Sequence, residues 1–371
     1  MEFFSHPLGV TAAFLLVLTV LVFVHELGHF LVARRSGVKV EVFSIGFGKE
    51  LWGFNDKHGT RWCFSIVPLG GYVKMFGEGD MITGVDDAED RPMTEEEKKV
   101  SFHHKPLRQR AAIVSAGPIA NFLFAVLMFW TVNTLYGVPH VLSAVGEVIE
   151  GSAAEASGFR SGDLITAIDA QPVELFSELH DIVSVNAGVE LAFEVERDGA
   201  VIVIRATPRS MVDEQTGEGK GLLGVRPSLE HVRTEEIGIV KGLGMAVEQT
   251  YLFTANILSG LGDMVSGERS AKELGGVISI AQYSGEAAQA GMIGVLRFLA
   301  ILSINLGLIN LFPIPVLDGG HLVFYAAEAL RGKPLSERVQ EYGFRFGLVL
   351  VLLLMVFATW NDLERIVLGW G

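Results

Sequence analysis

FVHELGHF, residues Phe23 to Phe30, places two histidines and a glutamate inside an apolar stretch. Ionisable side chains are costly in an apolar span, so their presence there needs a reason. On a helix, His25 and His29 lie four residues apart on one face, and both imidazoles can bind one Zn²⁺ while Glu26 stands beside the open coordination position. The pattern therefore predicts a hydrolytic zinc site. The simpler alternative is a helix whose histidines only form hydrogen bonds with neighbouring helices.

The composition outside this motif is typical of a membrane protein. Hydrophobic residues make up 50% of the 371 residues and charged residues only 19%, which is the balance expected of several apolar spans. The formal net charge of −14, without a stripe rich in Lys and Arg, argues against a nucleic-acid partner. Cys63 is the single cysteine of the sequence, so an intrachain disulfide and a cysteine-rich zinc site are both excluded.

The hydropathy pattern predicts a polytopic α-helical membrane protein with about four transmembrane helices. No basic residue precedes the first apolar run and no small-residue cleavage site follows it, so we expect a retained span and not a removed signal peptide. The positive-inside rule places the loop after the first span in the cytoplasm, because thirteen Lys and Arg lie between Arg34 and Arg110. The N-terminus is then on the outer side of the membrane. The predicted spans are residues 1–35 with HExxH, 111–136, 292–320, and 346–371 with the C-terminal tail.

Residues 36–110 are predicted to form a cytoplasmic hairpin and loop region with a small membrane-associated β-sheet beside the metal. Gly46, Gly48, Gly70 and Gly71 punctuate two runs of β-branched and aromatic residues. Edge strands at these glycines could bind an extended peptide by β-addition, so all four are candidate substrate-binding residues. The acidic stretch at residues 78–97 predicts a solvated loop.

Two further polar positions lie within or next to the apolar spans. SAGPIANF carries Asn121, a candidate substrate-binding residue for which an interhelical hydrogen bond and a role in the active site are both open. NLFPIPVLDGGH ends a helix at two prolines, and Asp318 follows at the depth of the two histidines. A carboxylate there is the expected third ligand and leaves the fourth zinc position for water. Residues 321–345 are predicted to be a second cytoplasmic linker.

Residues 137–230 are predicted to form a periplasmic α+β module. Its phrase GSAAEASGFRSGDLITAIDAQPV (residues 151–173) resembles a PDZ domain of bacterial membrane and envelope proteases. PDZ domains bind peptides by strand addition, so the module either recognises a substrate or tail or acts as a steric filter. In residues 231–291, Lys241 and Glu248 interrupt the apolar run, which favours an interfacial amphipathic helix over a span.

Together these motifs resemble the site-2 protease family of intramembrane zinc metalloproteases, in its bacterial RseP-like branch. The resemblance rests on residues 24–30, 44–51, 68–78, 115–122 and 310–321 and on the PDZ phrase, and it runs nearly from end to end. It implies that His25, His29 and Asp318 bind one Zn²⁺, that Glu26 is the catalytic base, and that Asn310 helps to hold substrate or to polarise the carbonyl. Some relatives carry two PDZ domains, whereas this chain has room for one.

The resemblance also implies substrates, partners and location. The expected reaction is hydrolysis within or near transmembrane segments of single-span membrane proteins, such as an anti-sigma factor or a remnant signal peptide, with the PDZ domain gating access. The enzyme would lie in the bilayer of the bacterial inner membrane, with its active site near the cytoplasmic face. Two alternatives remain open at this point: a membrane PDZ receptor with a structural or vestigial metal site, and a membrane protease that cuts exposed loops.

Overall fold

The chain forms two compact units. The computed structural model describes residues 6–77, 93–212, 219–228 and 230–368. The helical unit comprises Met1–Asn133 and Ile239–Gly371, and the inserted unit comprises Thr134–Gly238. The helical unit therefore contains every predicted metal and catalytic residue, and the inserted unit spans the whole of the predicted PDZ segment, residues 137–230.

The first part of the helical unit alternates long helices with a sheet. Pro7 begins the first helix at a position where a missing N–H costs nothing, and Arg34 and Arg35 in its last turn complement the negative end of the helix dipole. Its elements are α1 (Pro7–Arg35), β1 (Val40–Asn55), β2 (Arg61–Met75), α2 (Glu95–Val100) and α3 (Leu107–Leu135).

The predicted small sheet is present, and it is more folded than a simple hairpin. Val42 lies opposite both Arg61 and Lys74, and Ile45 lies opposite both Phe64 and Gly71, so the first half of β1 lies between the two halves of β2. The second half of β1 pairs again with the first half of β2. Two antiparallel segments thus make four strands, and the second half of β2 forms one edge.

Aromatic packing holds this sheet against the end of α1 that carries the histidines. Phe43 is almost fully buried, and its ring stacks on Trp62 with the centroids 4.3 Å apart. Phe30 from α1 meets the same pair edge-on. Ile113 from α3 belongs to the same buried cluster. The sheet, α1 and α3 therefore share one core.

The acidic segment predicted as a loop lies mostly outside the described residues. Its last part is helical, which corrects the prediction there. Thr94 accepts a hydrogen bond from the backbone N–H of Glu97, and the Glu97 side chain accepts one from the Thr94 backbone N–H. This capping box starts α2 and satisfies two backbone donors that would otherwise have no partner.

The inserted unit is an α+β module with one central sheet. Its elements are β3 (Val138–Val141), β4 (Val145–Val148), α4 (Ala153–Ala156), β5 (Leu164–Ile168), β6 (Gln171–Pro172), α5 (Phe176–Val185), β7 (Leu191–Arg197), β8 (Ala200–Ala206), β9 (Arg209–Val212), β10 (Gly219–Leu222), β11 (Val225–Pro227) and β12 (Val232–Glu235). Four strands in the order β6-β5-β7-β8 are antiparallel to their neighbours, and three further pairs are β4 with β11, β9 with β10, and β3 with β12.

One buried ion pair holds the glycine-rich turn of this unit. Asp163 is 1% exposed and accepts two hydrogen bonds from Arg197, at 2.6 and 2.7 Å, and one from the backbone N–H of Arg160. The hydrogen bonds to Asp163 raise the pKa of Arg197. Arg197 also donates to the Gly158 carbonyl, so one side chain joins the sheet to the turn.

The remainder of the helical unit consists of helices joined by short turns. It comprises α6 (Ile239–Ser266), a 3₁₀ turn at Ala271–Glu273, α7 (Val277–Gln289), α8 (Gly291–Leu311), α9 (Asp318–Arg331) and α10 (Glu337–Leu368). Within the described part of the chain, α1, α3, α8 and α10 are long and apolar enough to cross a membrane, which agrees with the predicted number of spans.

Several predicted boundaries move. The third span was predicted to run to residue 320, but α8 ends at Leu311 and Asp318 begins a separate helix. The last helix starts at Glu337, nine residues before the predicted fourth span. The region predicted to be interfacial contains α6 and α7. Ala246 of α6 is fully buried against α3 and α8, and the interfacial placement stays a prediction.

Asp362 ties the end of α10 to the start of α7. Its carboxylate accepts the backbone N–H groups of Gly276, Ile278 and Ser279 at 2.9 to 3.1 Å, as well as the Ser279 hydroxyl. A carboxylate at a helix N-terminus is favourable because it meets free donors and the positive end of the dipole. Asp362 is 2% exposed, so this cap is part of the core.

Candidate metal centre

α1 presents two imidazoles to the same point. His25 and His29 are one helical turn apart, and their ring planes are inclined by 84° with centroids 4.8 Å apart. Their Nε2 atoms lie 3.2 Å from each other. Two ring nitrogens at this separation converge on a shared position.

Asp318 reaches that position from the first residue of α9. The chain between α8 and α9 is tightly turned, with Ile314 N donating to Phe312 O at 2.7 Å and Leu317 N donating to Ile314 O at 2.8 Å. A Cβ on Gly319 would lie 2.3 Å from the Leu311 and Phe312 carbonyl oxygens. The glycine after the aspartate therefore allows the turn that delivers the carboxylate.

The three side chains form a compact triangle. Asp318 Oδ2 lies 3.2 Å from His25 Nε2 and 3.4 Å from His29 Nε2. Tetrahedral zinc with ligand bonds of about 2.0 to 2.1 Å separates its ligand atoms by about 3.3 to 3.4 Å. Asp318 Oδ2 is buried and, among the described residues, has no hydrogen-bond partner of acceptable alignment despite these short distances. The donor set and its spacing fit a divalent zinc ion.

Within the described part of the chain, these three residues are the group of His, Cys, Asp or Glu side chains whose ligand atoms lie close enough together to hold a metal ion. They are the three predicted ligands. Two nitrogens and one carboxylate oxygen are typical of zinc sites that keep a fourth position open for water.

α3 supplies the wall on the other side of the histidines. Ile113, Gly117 and Asn121 follow one another at four-residue intervals and so share a face. Because a carbonyl oxygen can only accept, the 2.9 Å contact between His29 Nδ1 and Ile113 O places the proton of His29 on Nδ1. Its Nε2 then presents a lone pair to the triangle, as a metal ligand requires.

Gly117 is the residue that permits this approach. A Cβ at this position would lie 2.2 Å from His29 Nε2 and 2.8 Å from His25 Cε1. Gly28 on α1 plays the matching part, since its Cβ would lie 2.3 Å from the Ala116 carbonyl oxygen. At the level of the metal triangle, Gly28 of α1 therefore packs against the backbone of α3, and Gly117 of α3 packs against the two imidazoles of α1.

Asn121 lies next to His25. Its side chain is fully buried, and its amide Nδ2 is 3.1 Å from His25 Nδ1. The backbone carbonyl of Asn121 accepts a hydrogen bond from Ser303 of α8 at 2.8 Å. Asn121 thus takes part in an interhelical hydrogen bond and also lies beside a predicted metal ligand. Its position is compatible with both roles that the sequence left open.

Glu26 is half-buried between α1 and the edge half of β2. The backbone N–H of Val73 interacts with its carboxylate. A Cβ on Gly71 would lie 3.4 Å from Glu26 Cγ and 2.7 Å from the Ser44 carbonyl oxygen. Among the four predicted substrate-binding glycines, Gly71 is thus the one placed beside the predicted base.

The other predicted substrate-binding glycines lie in the sheet, and Asn310 lies in α8. Gly46 and Gly48 have φ values of 92° and 87°, which only glycine adopts readily, and they make the bend in β1. A Cβ on Gly70 would meet the Phe47 ring at 2.2 Å. Asn310 is half-buried in the last turn of α8, eight residues before Asp318. Their roles toward substrate remain predictions.

Sequence reasoning missed three contributors to this centre. The Ile113 carbonyl is a backbone group, so no residue type announces it. Ser303 lies in an apolar run in which a single hydroxyl is unremarkable. The contact of Gly117 with both imidazoles follows only from the pairing of α3 with α1.

Comparison with known proteins gives matches along nearly the whole chain. The profile of peptidase family M50 matches residues 13–354. A protein of Rhizobium meliloti (strain 1021) that is named a zinc metalloprotease is 43% identical over 356 residues, covering 95% of each chain. One of Agrobacterium fabrum with the same type of name is 42% identical and covers 97% of each chain.

A third relative is longer than this chain. The regulator of sigma-E protease RseP of Salmonella typhimurium is 34% identical over 455 aligned positions, which cover 96% of this chain and 98% of that protein. Because the alignment exceeds 371 positions, it includes gaps in this chain. Among solved structures, the PDZ domain of an SdrC-like protein from Listeria innocua aligns with 23% of this chain and with 92% of its own length, at 21% identity and a TM-score of 0.20. A TM-score this low supports no conclusion about the fold.

Proposed function

Since the chain belongs to peptidase family M50, the site-2 proteases, and is a zinc metalloprotease, we propose that it cleaves other membrane proteins within or near their transmembrane segments. The observation that carries this proposal is the position of the metal triangle. Two of its three corners, His25 and His29, lie on a helix that is apolar enough to cross a bilayer. A protease with its centre at that depth acts on substrates that share the membrane.

His25, His29 and Asp318 are the proposed zinc ligands. Zinc held there would supply a Lewis acid that lowers the pKa of water and polarises the scissile carbonyl. Glu26, one residue from a ligand, accepts the proton of the attacking water and returns it to the leaving amine nitrogen. Asn310 is proposed as a second donor toward the carbonyl oxygen.

The edge half of β2 is the proposed binding site for the unwound substrate. A transmembrane helix must unwind before it is cleaved, because its peptide carbonyls are already hydrogen-bonded. Residues 71–75 pair with β1, and Gly71 and Val73 of this segment lie beside Glu26. An extended segment that pairs with this edge places its peptide groups next to the base and the metal ligands, which is the β-addition mode of peptide recognition. Gly46, Gly48 and Gly70 shape the same sheet and support that edge.

The proposed substrates are single-span membrane proteins of the bacterial inner membrane, with anti-sigma factors or remnant signal peptides as candidates. The Salmonella relative, named a regulator of sigma-E protease, supports this class. The N-terminus and the inserted unit are proposed to face the periplasm, with the catalytic centre near the cytoplasmic face, because the Lys and Arg residues concentrate in the loop between α1 and α3.

The inserted unit is proposed to be a single PDZ domain that gates substrate entry. An α+β module with a central antiparallel sheet and one ten-residue helix is compatible with this assignment. A gate of this kind excludes substrates with bulky outer portions, so prior trimming by another protease is required. Purified full-length enzyme should cleave a trimmed substrate at least about tenfold faster than the untrimmed one, and equal rates would overturn the gating role.

The central test compares wild-type protein with Glu26→Gln and His29→Ala, each purified at full length. Zinc is quantified in all three, and cleavage is measured on a reporter with one transmembrane segment. Glu26→Gln is expected to keep zinc and to lose cleavage, whereas His29→Ala is expected to lose both. Zinc retention by His29→Ala would contradict the proposed ligand set, and cleavage by Glu26→Gln would contradict the proposed base.

A further inference from the structure

Each of the two ligand imidazoles has a second ring nitrogen, and both of these nitrogens face α3. His29 Nδ1 donates to the Ile113 carbonyl at 2.9 Å. His25 Nδ1 lies 3.1 Å from the amide of Asn121, two helical turns further along the same face. A backbone carbonyl therefore orients one ring, and a buried side-chain amide contacts the other.

The chemistry of the metal triangle decides the protonation of His25. Its Nε2 lies 3.2 Å from both His29 Nε2 and Asp318 Oδ2, so Nε2 needs a free lone pair to act as a ligand. A neutral imidazole then carries its proton on Nδ1 and needs an acceptor there. The acceptor on the Asn121 side chain is Oδ1, which has no partner among the described residues when Nδ2 faces the ring.

We propose that Asn121 is a positioning residue for His25. In the metal-loaded protein its amide oxygen accepts the Nδ1 proton, with the amide turned by 180° about its last torsion. The two amide orientations have nearly the same shape, so this turn needs no movement of neighbouring groups. The bond fixes the tautomer and the ring angle of His25, as the partners of metal-bound histidines generally do.

The surroundings of Asn121 hold its amide in place for this role. The residue is 0% exposed, and Ser303 of α8 donates to its backbone carbonyl at 2.8 Å. Gly307, one turn along α8, lies against Phe122 and the Pro118 carbonyl. α3 is therefore packed between α1 and α8 at this level. In this role Asn121 orients the metal ligand His25. It then does not belong to the substrate-binding residues among which the sequence placed it.

The test measures zinc affinity and not catalysis, and it rests on the ligand set proposed above. Full-length protein is prepared as wild type, Asn121→Leu, Asn121→Asp and His29→Ala, and zinc dissociation constants are measured by competition with a chelator. Asn133→Leu is the matched control, because Asn133 is equally buried on α3 and bonds to Gln249 of α6 at 3.1 Å, far from the metal triangle. Thermal unfolding confirms that each variant is folded.

Asn121→Leu is expected to weaken zinc binding by about 10- to 100-fold, the usual effect of removing such a partner. Asn121→Asp is expected to match wild type or to bind more tightly, because both of its oxygens accept from Nδ1–H. Asn133→Leu is expected to keep wild-type affinity. In ¹⁵N spectra of the histidine rings, zinc-loaded wild type is expected to show His25 protonated at Nδ1.

The outcomes separate the two proposals. If His29→Ala binds zinc as wild type does, the ligand set is wrong. If His29→Ala loses zinc while folded Asn121→Leu keeps it, the positioning role is overturned. If Asn121→Leu does not fold, the aspartate variant decides: a loss of zinc affinity of tenfold or more in Asn121→Asp would show that His25 does not donate to this residue.

Discussion

Replacing Gly117 by alanine adds one methyl group at the point where α3 faces both imidazoles. The new Cβ would lie 2.2 Å from His29 Nε2, 2.6 Å from His29 Cε1 and 2.8 Å from His25 Cε1. Ordinary van der Waals contact begins at 3.4 Å, so His29 Nε2 must retreat by about 1.2 Å. Metal sites tolerate deviations of only about 0.2 Å in ligand distance, so the displacement exceeds that tolerance several-fold.

We therefore expect Gly117→Ala to lose bound zinc and to reduce cleavage of a single-span reporter by about 100-fold or more, since a displacement of about 1 Å at a catalytic group already costs that much. The assay is zinc per chain, measured alongside cleavage. Gly244→Ala on α6 is the matched control, because its Cβ would meet no described heavy atom within 4 Å. It is expected to keep zinc and activity and to gain up to about 1 kcal/mol in helix stability.

A folded Gly117→Ala protein with one zinc per chain and wild-type cleavage would refute the reasoning. That result would mean that the two helices can separate by more than 1 Å without disturbing the centre. It would also remove the main reason for regarding the contact between α1 and α3 as part of the catalytic apparatus.

Three further predictions concern other parts of the chain. Gly71→Val should reduce cleavage by about tenfold while zinc stays bound, because its new atoms meet β1 and α1 and not a ligand; an equal loss of zinc would contradict this. Arg197→Met should lower the free energy of unfolding by about 3 to 5 kcal/mol, because it leaves the buried Asp163 carboxylate unpaired. Arg205→Met, at an exposed ion pair, should lower it by less than about 1 kcal/mol. Denaturant unfolding measures both variants, and similar losses in the two would count against the argument. Asp362→Ala should lower stability by about 2 kcal/mol in a thermal melt, and an unchanged Tm would mean that water replaces the carboxylate at α7.

His25, His29 and Asp318 lie close together, as the sequence predicted, and the two histidines could be placed because their spacing is local. His25 and His29 are one turn apart on any helix, so their common direction needed only the recognition that residues 7–35 form one. Asp318 could be reached from the number of membrane crossings, since an even count between the motifs returns the chain to the same depth. The number of spans could be predicted because hydropathy is also a property of each local stretch of sequence.

Contacts between distant elements could not be read in the same way. The pairing of one half of β1 with both halves of β2 depends on bends whose positions glycines permit but do not dictate. Asp362 caps a helix whose N-cap residue, Gly276, lies 86 residues earlier, and nothing in the local sequence of Asp362 indicates that partner. The Ile113 carbonyl becomes a histidine partner only once α3 lies against α1.

The place where the inserted unit joins the helical unit has a consequence for how such chains diversify. Trp130, near the end of α3, donates its indole N–H to the carbonyl of Ile239, the first residue of α6, at 2.9 Å. Inside the insert, Val138–Val141 pairs with Val232–Glu235, so the outgoing and returning strands form one stem. A cassette that leaves and re-enters at a single point can be lengthened, duplicated or exchanged during evolution without changing the distance between its flanking helices.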